Sequence, residues 1–152
     1  MPNVSLKILL VYGNKATARL GARVSNSLRR KLGSEFQVAQ SIWNAELLRS
    51  PKLRALAARE ARDSDIVIVS LSDGAPLSPE ISHWFNLWKR RQRSVPSALV
   101  ALLNREENSA NARVTEETLH RFADRARMEF FCHSETGERE PGFDLLPSGM
   151  GF

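Results

Sequence analysis

A single cysteine, Cys132, stands among the 152 residues. One thiol excludes an internal disulfide and any cysteine-rich zinc site. It sits in the apolar run EFFCHS, the setting of a buried structural thiol rather than a reactive one. Long apolar runs are also lacking. None approaches the roughly 18 residues that mark a membrane-crossing helix. The first residues show no secretory signal pattern, so a cytoplasmic protein with no membrane partner is expected. The three histidines, His83, His120 and His133, are scattered along the chain, and no metal site is expected. The sequence contains no Walker loop, no GxGxxG turn and no GxSxG elbow.

Acidic residues fall short of basic ones, 17 against 22, for a net charge of +5. Much of the excess lies in RRK at 29–31 and KRRQR at 89–93. Each run closes a predicted helix, where cations complement the dipole by about 0.3–1 kcal/mol. No aromatic residue interleaves either run to make a stacking platform, so a nucleic-acid partner is not expected.

What is present is a chain of single-domain size, with ordinary apolar and charged fractions. Leu6–Tyr12 is a largely apolar run bounded by Gly13, short and unbroken enough for a buried strand. Over 17–32, Leu20, Val24, Leu28 and Leu32 recur every four residues, one helical stripe, with Gly33 as the stop. Phe36–Trp43 alternates in part and reads as a weaker strand. A helix over 47–61, established after Pro51, carries Leu53, Leu56, Ala57 and Ala61 on one face. Ile66–Leu71 is the clearest buried strand.

Ser78, Pro79 and Glu80 then form a helix start. Ser78 suits the cap, Pro79 the first helical position, and Glu80 the positive end of the dipole. Ile81, Trp84, Phe85 and Trp88 follow at helical spacing as a core-facing stripe. Ala98–Leu103 is a fourth strand. Thr115 is positioned to cap a further helix with Glu116 and Glu117 in its first turn, and Glu129–His133 is a fifth strand. Residues 1–134 read as one domain. Residues 135–152, rich in glycine and proline, read as an irregular tail with Phe143, Leu145 and Leu146 as anchors to the domain or to a second chain.

Alternating strands and helices imply a parallel sheet covered on both faces. Right-handed crossovers reduce the topologies to a few, and five strands suggest the order 2-1-3-4-5. Its ligand crevice lies at the strands' C-terminal ends, near the first and third strands. Gly13–Arg19 and Ser72–Ser78 would meet there.

LVYGNKATARLGARV resembles the first strand and phosphate loop of the flavodoxin-like group. DIVIVSLSDGAPLSPEISHWFNLW is similar to the group's third strand, loop and following helix. The resemblance spans residues 6–133 and implies a three-layer sandwich with a five-stranded parallel sheet. The group's final helix is missing, with the tail in its place. It also implies FMN, held by Gly13, Asn14, Lys15, Thr17 and Arg19 at the first helix and by Ser72, Asp73, Gly74 and Ser78 at the third strand. The residues answer that implication poorly. Thr17 is the one aliphatic hydroxyl in the first loop, and neither SDGAPLS nor NREENSANARV contains an aromatic ring to stack on a flavin. Each missing face is worth on the order of 1–3 kcal/mol by analogy with base stacking.

A phosphoacceptor reading finds Asp73 near the right place, but Tyr12-Gly13-Asn14-Lys15 offers no carboxylate to hold magnesium. An enzyme reading uses Glu80, on the helix after the central strand, with His83 three residues on. That layout resembles nucleoside deoxyribosyltransferases. The expectation is therefore a small binding or regulatory module with an eroded cofactor site, acting through a protein partner or self-association, with no catalytic residue assigned. The alternatives are an FMN-binding electron-transfer protein or reductase, and a nucleoside- or nucleotide-processing transferase or hydrolase with Glu80 as its carboxylate.

Overall fold

A computed structural model describes residues 4–72, 77–88, 97–105 and 111–136. Five strands, β1 (Val4–Tyr12), β2 (Phe36–Asn44), β3 (Ile66–Ser72), β4 (Ala98–Arg105) and β5 (Glu129–Thr136), form one sheet in the order β2-β1-β3-β4-β5. Every neighbouring pair is parallel. The expected topology is thus the observed one. The helices are α1 (Lys15–Leu32), α2 (Pro51–Asp63), α3 (Pro79–Trp88) and α4 (Asn111–Ala126), with a 3-10 turn at Ala45–Arg49 before α2.

Both sheet faces are dry, so the central strands read as unbroken apolar runs. The period of two sends Leu9, Val11, Val67, Val69, Leu99 and Ala101 to the face covered by α2, α3 and α4. Ile8, Leu10, Ile66, Ile68, Val100 and Leu102 go to the other, where α1 supplies Leu20, Val24, Leu28 and Leu32. The Trp84, Phe85 and Trp88 stripe is fully inside, meeting Phe122 of α4 with ring centroids 4.1 Å (Phe85) and 5.0 Å (Trp88) away.

Close packing of α1 on the sheet depends on small residues. A Cβ on Gly21 would lie 2.6 Å from Leu10 Cδ1 and 3.3 Å from Ser70 Cβ. Beside it, the buried Ser70 hydroxyl donates to the Thr17 carbonyl at 2.7 Å, tying the helix to the central strand.

The strand expected over Phe36–Trp43 is present as β2, paired with β1 along all nine residues, and its partial alternation reflects an edge position where Gln37, Ala39 and Ile42 are exposed. Several other local expectations are corrected. In α2 the buried residues are Ala57, Ala58 and Ala61, and Leu56 is 45% exposed. At 100° per residue Leu56 lies about 140–160° from Ala58 and Ala61, so a helix that buries these alanines turns Leu56 to solvent. Helix α4 starts at Asn111, so Thr115 lies inside it, buried, and is not its cap. Ser78 does precede α3, but its buried hydroxyl oxygen makes no hydrogen bond. Glu80, bonded to its own backbone N–H, serves that helix end instead. Cys132 is half-buried against the core rather than fully enclosed. Strand β5 runs through Thr136, three residues past the His133 end expected for it. The expected tail beyond it, the KRRQR run and most of the loop before α4 lie outside the described residues.

Candidate functional site

The C-terminal edge of the sheet is built around a very short turn. β1 ends at Tyr12 and α1 begins at Lys15, leaving Gly13 and Asn14 between them. Asn14 is extended and caps the helix, its side chain accepting from the Thr17 N–H at 3.0 Å. Thr17 reciprocates. Its hydroxyl oxygen accepts from the N–H groups of Asn14 at 2.8 Å and Gly13 at 3.1 Å, and the hydroxyl donates to the Asn14 carbonyl at 3.0 Å. A threonine hydroxyl has one donor and two acceptor sites, so all three are filled. Gly13 N–H is shared with the Ser70 carbonyl, also at 3.1 Å. This is a capping box with threonine where Glu or Gln is usual.

Beside the turn lies a cleft of about 230 Å³. Gly13 and Asn14 form one wall and Leu71 and Ser72, at the end of β3, the floor. Ser78, Glu80 and Ile81 enter from α3, Glu46 and Arg49 from the 3-10 turn, and Thr115 from α4. Five of the residues singled out in the sequence therefore converge: Gly13, Asn14, Ser72, Ser78 and Glu80. Thr17 is fully buried behind the turn, and Lys15 and Arg19 stand on the exposed side of α1. Asp73 and Gly74 lie outside the described residues. Trp43 is partly buried, packed against the core on the α2–α4 face of the sheet.

Arg49, Glu46 and Thr115 were not anticipated. The signal for Arg49 was topological only: the chain leaving β2 must turn above this edge before α2. Arg49 Nε donates to Glu80 Oε2 at 3.2 Å. Glu80, not the exposed His83, is thus half of an ion pair with the 3-10 turn. Its own backbone N–H, and then the Arg49 guanidinium, hold the Glu80 carboxyl below the ordinary value against the opposing effect of burial. Glu80 is consequently an anion at neutral pH. It could attract a cation or attack an electrophile, but it has no proton to donate.

Among the described residues, the cradle that the resemblance implies for FMN is offered only in part. A phosphate at a helix N-terminus needs free amides pointing at it. Of the first four in α1, those of Asn14 and Thr17 are taken within the turn, leaving Lys15 and Ala16. No aromatic side chain is among the described lining residues, and the ionised Glu80 and the neighbouring Glu46 both face the cleft. Among the described residues no cluster of three or more metal-ligating side chains occurs, and no helix is long and apolar enough to cross a membrane.

No family model matches the sequence, and no curated protein matches it. Solved structures do resemble the fold. An oxidoreductase from Corynebacterium diphtheriae superposes with a TM-score of 0.66 at 10% identity, covering 91% of this chain and 86% of that one. A Streptococcus pneumoniae TIGR4 flavodoxin gives 0.60 at 14% identity over 91% and 90% of the two chains. An azoreductase from Bacillus anthracis str. Sterne gives 0.57 at 11% identity over 85% and 86%. Identity so low carries the fold and nothing finer. With its five-stranded parallel sheet in the order β2-β1-β3-β4-β5 and these superpositions, the chain has a flavodoxin-like α/β fold.

Proposed function

We propose that this protein is a small binding module that engages a protein partner at the C-terminal crevice and does not use FMN in the flavodoxin manner. The observation that carries the reading is the two-residue Gly13–Asn14 turn, whose amides are bonded to Thr17 and Ser70. A turn closed on itself is a rigid rim rather than a phosphate cradle. Around it stand polar groups suited to partner recognition: the Ser72 side chain and the Arg49–Glu80 pair. The test is flavin binding by the purified protein. The expected preparation is colourless, with no saturable quench of FMN fluorescence on titration. A partner recovered with the protein should be lost on Arg49→Glu together with Ser72→Arg, two changes at the crevice wall. Saturable quenching would overturn the reading.

A second reading, an FMN-binding electron-transfer protein or reductase, is favoured by the likeness to the flavodoxin and azoreductase structures. The amides of Lys15 and Ala16 at the start of α1 give it a foothold. It requires flavin absorbance in the purified protein that disappears in Ser72→Arg, which fills the cleft beside the turn.

A further inference from the structure

Helix α1 contains Lys15, Arg19, Arg23, Arg29, Arg30 and Lys31 and no acidic residue. Six of the 22 basic and none of the 17 acidic side chains lie there, so the rest of the chain carries 16 against 17 and is close to neutral. The helix is thus the longest run of one sign, with KRRQR at 89–93 a second, shorter one. At about 100° per residue, Lys15, Arg19, Arg23 and Arg30 share an arc of roughly 80°, and they span about 22 Å along the axis. Leu20, Val24, Leu28 and Leu32 are turned the opposite way into the core. Lys15, Arg19, Arg29, Arg30 and Lys31 are all exposed. Reading RRK at 29–31 as a helix end is therefore incomplete: Arg30 completes a stripe that begins fifteen residues earlier. The stripe ends beside an open groove of about 760 Å³ lined by Asn26, Arg29, Arg30 and Gln37 together with Phe36 and Val38.

We infer that the outer face of α1 is a docking surface for the phosphate backbone of duplex nucleic acid, read without regard to sequence. Three features select this occupant. Every exposed charge on the helix has the same sign, as a polyanion requires. The helix's large apolar residues, Leu20, Val24, Leu28 and Leu32, are all in the core, so none is left to insert into a bilayer or to anchor a folded protein, whose interface cores need large apolar and aromatic groups. No aromatic residue lies on α1 to stack an unpaired base, which favours paired over single strands. This face is separate from the crevice and stands or falls independently of the module reading.

The test is fluorescence anisotropy with a labelled duplex of random sequence across a salt series. Engagement of about four phosphates gives a slope of log affinity against log salt near −3.6, roughly a hundredfold loss between 50 and 200 mM salt. Arg19→Glu with Arg30→Glu, both exposed and checked for folding by circular dichroism, should lower low-salt affinity at least tenfold. Lys52→Glu with Arg59→Glu, exposed on α2 across the sheet, should change it less than twofold. Any of four results overturns the inference: no binding at 50 mM salt, a slope shallower than −1, equal losses in the two double variants, or equal competition by anionic vesicles or polyglutamate at matched charge.

Discussion

Replacing Thr17 by valine removes one hydroxyl from a fully buried site while keeping the side chain's shape. Two amides lose their acceptor. Gly13 N–H retains the Ser70 carbonyl, but Asn14 N–H does not have that alternative. Loss of the capping interaction costs about 1 kcal/mol. A buried amide left unbonded costs about 1–3 kcal/mol, and the exposure of Asn14 to water puts this one near the lower end. The sum is about 2 kcal/mol. For a chain of this length, that lowers the thermal midpoint by roughly 4–8 °C. With a urea slope of about 2 kcal/mol/M, the chemical midpoint falls by about 1 M. Paired urea and thermal melts followed by circular dichroism measure it, with Thr17→Ser, which keeps the hydroxyl, recovering most of the loss. A Thr17→Val protein within about 0.5 kcal/mol of the parent would show that the hydroxyl is not engaged in the turn. The closed-rim account of the crevice would then fail.

Gly21→Ala gains about 1 kcal/mol of helix propensity but drives a methyl against Leu10 and Ser70; overpacking of about 1–3 kcal/mol should leave the protein less stable in a urea melt. Arg127, just past α4, has a φ of 58°, so Arg127→Gly should raise stability by up to about 1 kcal/mol by relieving left-handed strain. Leu56→Lys, at a site 45% exposed, should move the urea midpoint by less than the equivalent of about 0.5 kcal/mol, whereas a core-facing Leu56 would make it severe. Glu80 has a folded pKa below its unfolded one. Its contribution is therefore present above the unfolded value and is lost as pH falls through the folded one. With Arg49 largely solvated, Glu80→Gln should cost less than about 1 kcal/mol at neutral pH, and the difference from the parent should close in acid, as urea midpoints at the two pH values would show.

The elements that the sequence specified best are those where pattern and burial coincide. Ile66–Leu71 could only be a two-sided buried strand, and the stripes of α1 and α3 sit where their spacing placed them. Errors arose where a second principle competed. Leu56 was grouped with Ala57 and Ala61, but the face that α2 buries is centred on Ala57, Ala58 and Ala61, which points Leu56 to solvent. Thr115 had the chemistry of a cap, but the helix nucleated four residues earlier. At the site, chain topology alone brought Gly13, Asn14, Ser72, Ser78 and Glu80 to one rim. Which way Thr17 faces was not legible, because a threonine in a glycine-bounded turn can serve a ligand or its own backbone equally well.

By itself the sequence determined the order of strands and helices, the core-facing stripes and the location of the crevice. Hydrophobic period and crossover handedness are local or universal rules and need no knowledge of distant contacts. The tertiary structure decided the rest: the pairing of Arg49 with Glu80, the closure of the Gly13–Asn14 turn on Thr17 and Ser70, and the two walls of the crevice contributed by the 3-10 turn and α4. Each is a bond or contact between groups whose meeting depends on how far a helix sits from the sheet. That distance is set by the packing of residues such as Gly21 and Ala57 together, not by any one of them read along the chain.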